Sequence, residues 1–240
     1  MLKNRRIYLL SFAVLFVAVE IILGIALQIT SGRAVAACSF ASIILACLFC
    51  ALFASKSAPY VLTQSALVLT VCADYFLVWS LPIKQLPAMI FFLGAQLAYA
   101  ARIYLLANAK ERRIHLIARG TLSLVAVVTT LIVLQQAADA LAVVSMLYYA
   151  NLILNLVFCL LRFRSRALLA IGFMLFLLCD TVIGLDLLGG YLPIPDDALL
   201  YRVIRPGFNL AWVFYLPSQV LLAFSLWNHQ QKSPKTCAKY

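Results

Sequence analysis

Long apolar runs separated by short polar segments make up most of the chain. A membrane-spanning helix needs about 20 mostly apolar residues, and eight runs reach that length. The predicted spans cover residues 7–29, 34–54, 60–81, 87–107, 114–134, 139–161, 167–188 and 208–227. The pattern therefore predicts an all-α polytopic membrane protein with one transmembrane domain over residues 1–230. Residues 231–240 are predicted to form a disordered cytoplasmic tail.

Polar and aromatic residues recur inside several of these runs at steps of three and four. Such steps keep residues on one face of a helix, and a polar face turned toward lipid would be costly. The sequence thus predicts faces that point into the bundle. They comprise Thr63, Thr70 and Asp74; Phe92, Gln96 and Tyr99; Tyr148, Asn151, Asn155 and Cys159; Phe173, Phe176 and Asp180; and Trp212, Tyr215 and Gln219.

Two carboxyl groups stand out because they lie well inside predicted spans. An Asp near the centre of a membrane helix costs roughly 2.5 to 3.5 kcal/mol on insertion scales, so Asp74 and Asp180 are candidates for function. Their matching positions in the third and seventh spans fit either a four-plus-four parallel repeat or coincidence. Glu20, in the first span, fits either a packing role or a catalytic role.

Composition and charge exclude several classes of protein. With 65% hydrophobic and 11% charged residues and a mean hydropathy of +1.03, the chain has too little polar surface for a soluble globule. The net charge of +11 is concentrated in alternate loops, which predicts that both termini are cytoplasmic and argues against a nucleic-acid partner. Predicted on the cytoplasmic side are Lys3, Arg5, Arg6, Lys56, Arg102, Lys110, Arg112, Arg113, Arg119, Arg162, Arg164, Arg166, Lys232, Lys235 and Lys239. Only Arg33, Lys84, Arg202 and Arg205 are predicted outside.

Cysteine and histidine usage gives little support for redox or metal chemistry. The seven cysteines are an odd number, and Cys47-x-x-Cys50 lies in an apolar span where cysteine behaves as a small hydrophobe. A metal-dependent membrane hydrolase needs several His and acidic ligands at one depth, whereas this chain has only His115 and His229. We therefore predict no metal and no cofactor.

Two regions look structural rather than functional. The fifth span has no ionisable residue well inside it and is predicted to be a scaffold. The longest outer loop, residues 189–205, contains Pro193, Pro195, Asp196 and Asp197, a composition that predicts turns rather than a domain.

An ordered set of short motifs resembles the YhhN-type lysoplasmalogenase family of eight-helix membrane proteins. The motifs are Lys56-x-x-Pro59, Ala66-Leu-Val-Leu-Thr-Val-Cys-Ala-Asp74, Phe91-x-x-x-x-Gln96-x-x-Tyr99, Cys179-Asp180 and Tyr215-x-x-x-Gln219-x-x-Leu-x-x-Ser225. The resemblance implies hydrolysis of the vinyl ether bond of lysoplasmalogens, which releases a fatty aldehyde and a glycerophospho-alcohol. This chain has Ala73 where the family usually has Gly. It has Gln96 where the family often has His, and an amide cannot titrate.

The chemistry of this reaction suits a pair of carboxyl groups. Protonation of the alkene gives an oxocarbenium-like cation that water then attacks, so an acid and a carboxylate are needed. We predict Asp74 and Asp180 as the catalytic pair, with the roles unassigned. The residues predicted to bind the lysophospholipid substrate are Lys56, Gln96, Tyr99, Tyr148, Asn151, Asn155, Tyr215 and Gln219.

A second class of function uses the same residues. Paired intramembrane Asp residues also serve proton relays, so a proton-coupled transporter or a lipid-binding membrane protein is the alternative to a hydrolase. Both classes place the protein in a membrane, for which the plasma membrane is the predicted location. Membrane lipids are the predicted surroundings, and the sequence leaves the oligomeric state open.

Overall fold

The computed structural model of the chain describes residues 2–52, 56–192, 194–195 and 198–232, with side chains from residue 8 to residue 226 of these. Within this part of the chain all regular structure is helical. The α-helices are α1 (Leu2–Ile29), α2 (Arg33–Ala51), α3 (Ala58–Asp74), α4 (Gln85–Leu105), α5 (Ala109–Leu134), α6 (Ala140–Leu160), α7 (Phe163–Leu187), α8 (Leu199–Ile204) and α9 (Leu210–Lys232). A π-helical turn, Tyr75–Trp79, continues α3, and 3-10 turns at Gln135–Ala137 and Leu188–Gly190 follow α5 and α7.

Local capping explains where several helices begin. The Asn108 side chain accepts a hydrogen bond from the Glu111 backbone, and the Glu111 carboxylate accepts one in return from the Asn108 backbone. This capping box starts α5 five residues earlier than the predicted boundary at 114. Asp139 caps α6 through the Ala142 backbone N–H. Pro59 lies in the first turn of α3, where its missing N–H costs nothing.

Seven of the eight predicted spans meet the length and hydropathy expected of a membrane crossing. The eighth is α9, whose apolar stretch over the residues with described side chains is shorter, Leu210–Leu226. Eight spans, cytoplasmic termini and the four-plus-four repeat therefore remain predictions. The all-helical membrane architecture is confirmed.

Contacts between helix ends identify the two ends of the bundle. At one end Glu111 at the start of α5 pairs with Arg162, which directly precedes α7. At the other, Gln28 at the end of α1 bonds the backbone of Asn209, which precedes α9. We call the first the inner end, because the charge pattern predicts it to be cytoplasmic, and the second the outer end.

The core is packed tightly where α7 meets α9. A Cβ atom added to Gly172 of α7 would lie 3.0 Å from Cδ2 of Leu222 and 3.4 Å from the backbone oxygen of Ser218. Phe173, Phe176 and Leu222 are fully buried beside this contact. Long apolar side chains of α1 and α5 remain exposed, as expected for surfaces that face lipid.

The outer loop differs from its prediction. Residues 189–205 were expected to form turns, but Leu199–Ile204 is a short helix with Tyr201 and Ile204 buried. The two apolar side chains have a core to pack against, which the loop composition does not reveal. Pro193, Asp196, Asp197 and residues 233–240 of the predicted tail lie outside the described residues, as does the side chain of His229.

Candidate active site

Asp74 is the last residue of α3 and points into the bundle with 2% of its surface exposed. The hydroxyl group of Tyr215 on α9 donates a hydrogen bond to Oδ2 of Asp74. Thr63 and Thr70 lie on the same buried face of α3, which confirms the predicted stripe. Both hydroxyls bond backbone carbonyls one turn back in their own helix, so neither competes for the carboxyl group.

Asp180 on α7 has a matching partner. The hydroxyl group of Tyr148 on α6 donates a hydrogen bond to Oδ2 of Asp180. Asp180 is partly exposed, and it lies within electrostatic range of Asp74. The structure therefore brings both predicted carboxyl groups together, each held by a tyrosine from another helix.

Aromatic rings connect the two pairs. The ring of Phe176 lies 5.8 Å from that of Tyr215 and 6.5 Å from that of Tyr148, measured between ring centroids. Phe92 lies 5.7 Å from Tyr148 and 6.1 Å from Phe176. Trp212 extends the row on the other side, 5.5 Å from Tyr215. The same aromatic side chains therefore line both carboxyl groups, with few polar groups among them.

A second polar layer lies nearer the inner end. Arg119 of α5 donates to Oδ1 of Asn151 at 2.8 Å and to Oδ1 of Asn155 at 2.6 Å. Asn155 in turn donates from Nδ2 to Oε1 of Gln96 at 2.9 Å. Arg119, which was predicted only as one of the cytoplasmic-side charges, therefore joins Asn151 to Asn155, and Asn155 joins Gln96 to the same network.

Arg119 fixes which group donates and which accepts in each hydrogen bond of the series from Arg119 through Asn155 to Gln96. A guanidinium group only donates, so Asn155 must turn its oxygen toward Arg119 and its nitrogen toward Gln96. Gln96 then has to accept through Oε1, which leaves its Nε2 as a donor. Gln96 is fully buried, and Nε2 bonds no atom within the described part of the chain.

Arg102 forms a separate buried centre. It is 2% exposed, and its guanidinium donates to the hydroxyl groups of Thr63 at 2.7 Å and Ser225 at 2.6 Å and to the backbone oxygen of Ser225 at 3.2 Å. These bonds join α3, α4 and α9 near the inner end. None of the acceptors is charged.

The placement of Arg102 and Arg119 corrects two predictions. Both were counted among cytoplasmic loop charges, yet both reach into the bundle and bond groups on other helices. The fifth span was predicted to be a featureless scaffold, but α5 begins at Ala109, so Arg119 lies ten residues, or about 15 Å, into the helix. A long basic side chain near the end of a predicted span can point into the bundle or out toward water, and the sequence pattern alone does not distinguish these two directions.

Other predicted residues fall into two groups. Tyr99 and Gln219 are buried at the centre, and Tyr99 Oη and Gln219 Oε1 bond no described atom. Lys56 is exposed at the start of α3, about 27 Å along the helix axis from Asp74, and is not brought to the cluster. Glu20 accepts a 2.6 Å hydrogen bond from Ser42 of α2, an interhelical contact away from both layers.

No three His, Cys, Asp or Glu side chains of the described chain lie close enough together to hold a metal ion.

A model of the YhhN family matches residues 36–226, which include every residue of both layers. The chain belongs to the YhhN family. This YhhN protein is an integral membrane protein by the length and hydropathy of its helices. Comparisons with curated proteins and with solved structures find no match. The family match begins at residue 36, so α1 and Glu20 lie outside it.

Proposed function

We propose that this YhhN protein is a membrane-embedded hydrolase that cleaves the vinyl ether bond of lysoplasmalogens. The observation that carries the proposal is the pair of carboxyl groups, Asp74 and Asp180, each bonded by a tyrosine hydroxyl and both within electrostatic range of one another. Enzymes that cleave glycosidic C–O bonds commonly use two neighbouring carboxyl groups, one of which acts as the acid.

The reaction consumes one water. One Asp transfers its proton to the outer alkene carbon, and the alkene electrons form the new C–H bond, leaving an oxocarbenium cation at the carbon that carries the ether oxygen. Water adds to this carbon while the other carboxylate takes its proton. The resulting hemiacetal breaks its bond to the glycerol oxygen, which leaves with a proton, and the products are a fatty aldehyde and a glycerophospho-alcohol.

The surroundings of the pair suit each step. A cation forms in a region lined by the rings of Phe92 and Phe176, and aromatic faces stabilise positive charge. The hydroxyls of Tyr148 and Tyr215 hold the carboxyl groups in place. Oε1 of Gln219, four residues from Tyr215 on α9, is free to accept a hydrogen bond from the attacking water.

The substrate would be a lysophospholipid that reaches the site sideways from the bilayer, most simply in the plasma membrane. Its single chain would lie among the apolar helix surfaces. No nucleic acid and no cofactor has a role in this reaction.

The test compares the unmodified protein, purified in detergent, with Asp74→Asn, Asp180→Asn and Asp186→Asn. Asp186 is the matched control, because it lies on the same helix as Asp180 but pairs with Arg205 at the outer end. Loss of a general acid typically lowers the rate by about 10²- to 10⁴-fold, so aldehyde release should fall at least about 100-fold in the first two variants and stay within about twofold in the control. Unchanged turnover in both site variants would refute the assignment.

The alternative class makes a different prediction in the same preparation. A proton-coupled transporter would release no aldehyde and would instead take up lipid or solute into proteoliposomes when a proton gradient is applied. Absence of aldehyde together with gradient-dependent uptake that is lost in Asp74→Asn would favour transport.

A further inference from the structure

The second polar layer, formed by Gln96, Arg119, Asn151 and Asn155 and named the inner layer from here on, is surrounded by an excess of hydrogen-bond donors. On α4 and α5 the buried side-chain atoms that bond no described atom are Gln96 Nε2, Tyr99 Oη, Arg102 Nε and His115 Nε2. His115 accepts from Arg119 through Nδ1, so a neutral His115 carries its proton on Nε2 and also presents a donor. All four atoms can therefore donate, and each belongs to a residue that is at most 2% exposed.

The same layer has an excess of positive charge. Cys159 on α6, one turn beyond Asn155, lies within electrostatic range of Arg102, Arg119 and Arg166. Every hydrogen bond that Arg102 and Arg119 donate within the described chain goes to a neutral acceptor. A buried guanidinium without a counter-anion is costly, so the layer is complementary to an anion.

The depth of this layer matches the size of a lysolipid head group. Along α6, Asn151 and Asn155 lie about 4.5 and about 10.5 Å from Tyr148 toward the inner end, and Arg119 bonds both asparagines. In a lysoplasmalogen the ether oxygen and the phosphorus are separated by about 6 Å by ordinary bond lengths. A vinyl ether placed between Asp74 and Asp180 therefore puts the phosphate at the level of Arg119.

We propose that Arg119, together with the donors of Gln96 and Tyr99, forms a phosphate-binding site that selects lysolipids whose head group carries net negative charge. The proposal rests on the proposed function for the identity of the ligand as a lysolipid. A choline or ethanolamine head group would place its cation next to arginines. A phosphate monoester adds a second negative charge and further acceptors to the same donors.

The experiment measures binding with lipids that cannot be cleaved. Saturated 1-alkyl lysolipids lack the vinyl ether, so affinity is read without any turnover. The purified protein is titrated by calorimetry with the phosphate monoester, the phosphocholine ester and the 1-alkylglycerol that has no phosphate. We expect the monoester to bind at least about tenfold more tightly than either of the other two lipids.

Variants locate the site. Arg119→Gln should lose the preference for the monoester. Arg119→Lys keeps the charge but not the planar two-pronged geometry of the guanidinium group, so it should retain part of the preference. Arg113→Gln is the control, because Arg113 is an exposed arginine of the same helix near the same end. It should bind all three lipids as the unmodified protein does. If a glutamine variant fails to fold, the head-group comparison in the unmodified protein still decides.

Three results would overturn the proposal. They are equal affinity for the three lipids, tighter binding of phosphocholine than of the monoester, and binding of inorganic phosphate alone as tight as that of the monoester, which would assign the site to a free anion. Retained head-group preference with no aldehyde release would refute the proposed hydrolysis and leave this site standing. Aldehyde release with no head-group preference would refute the phosphate-binding site and leave the proposed hydrolysis standing.

Discussion

Tyr215 and Asp74 are joined by a hydrogen bond across 141 residues of sequence. The bond ties the outer half of α9 to the end of α3, and both partners are buried. Tyr148 repeats the arrangement for Asp180 across 32 residues. The Tyr148–Asp180 pair lies within the hairpin of α6 and α7, whereas the Tyr215–Asp74 pair joins α9 to α3. The site as a whole therefore depends on the assembled bundle.

Replacing a tyrosine of these pairs should impair turnover more than folding. In Tyr148→Phe, Asp180 loses the hydroxyl that orients it, and we expect aldehyde release to fall by about 10- to 100-fold. Tyr149→Phe is the control, because the neighbouring Tyr149 hydroxyl bonds Thr181 on the same helix pair but not a carboxyl group. Equal losses in both variants would point to a general effect on the packing of α6 and α7.

Removal of the central asparagine should destabilise the bundle. Asn155→Leu removes one of the acceptors of Arg119 and the side-chain donor to Gln96, and an unsatisfied buried polar group costs about 1 to 3 kcal/mol. We expect the free energy of unfolding in mixed micelles to fall by that amount. Asn155→Asp retains an acceptor for Arg119 and should cost less, so the opposite order would contradict the bond directions deduced for the inner layer.

Two glycines of α7 should respond in opposite ways to the same substitution. Gly172→Ala forces Leu222 or α9 to move, since the new Cβ atom would lie 3.0 Å from Leu222 Cδ2, and overpacking of this kind costs about 1 to 3 kcal/mol. The Cβ atom of Gly184→Ala meets no described atom within 4 Å, and alanine favours a helix by about 0.5 to 1 kcal/mol. Thermal unfolding should show a lower midpoint for the first variant and an unchanged or higher one for the second.

Glu20 should prove dispensable for chemistry. Glu20→Gln keeps an oxygen to accept from Ser42, and interhelical hydrogen bonds in membranes average about 0.6 kcal/mol. We therefore expect aldehyde release within about twofold of the unmodified protein and a small change in unfolding. A tenfold loss of turnover in a folded variant would give Glu20 a part in the reaction.

The sequence predicted the inward faces because membrane helices make periodicity easy to read. Lipid penalises outward polar groups, so residues at steps of three and four such as Gln96 and Tyr99 had to turn inward, and both are buried. The spans were predicted for the same reason. The contacts between helices could not be predicted in the same way, because the polar face of one helix does not indicate which other helix it packs against. The bonds of Tyr148 to Asp180 and of Tyr215 to Asp74 are therefore visible only in the assembled bundle.

The arginines of the inner layer were missed because the positive-inside rule treats all basic residues near a span end alike. It fixes which side of the membrane they occupy but not which way their side chains point. The predicted span over residues 114–134 already contains Arg119, and the inward direction of its side chain follows from the acceptors that Asn151 and Asn155 present on α6.

The π-helical turn Tyr75–Trp79 begins directly after Asp74. Its wider hydrogen-bonded rings make it equivalent to an α-helix with one residue inserted, so the register of side chains on the inner side of Asp74 does not continue beyond it. Deleting a single residue from this turn would let α3 run on as an unbroken α-helix and would rotate everything up to the following loop by about 100° relative to the carboxyl group. The stripe of Thr63, Thr70 and Asp74 would keep its sequence, while Phe76 would lose its stacking on Phe91 and Trp79 its stacking on Phe40. The length of this turn therefore sets the side-chain register beyond Asp74 independently of the residues of the stripe itself.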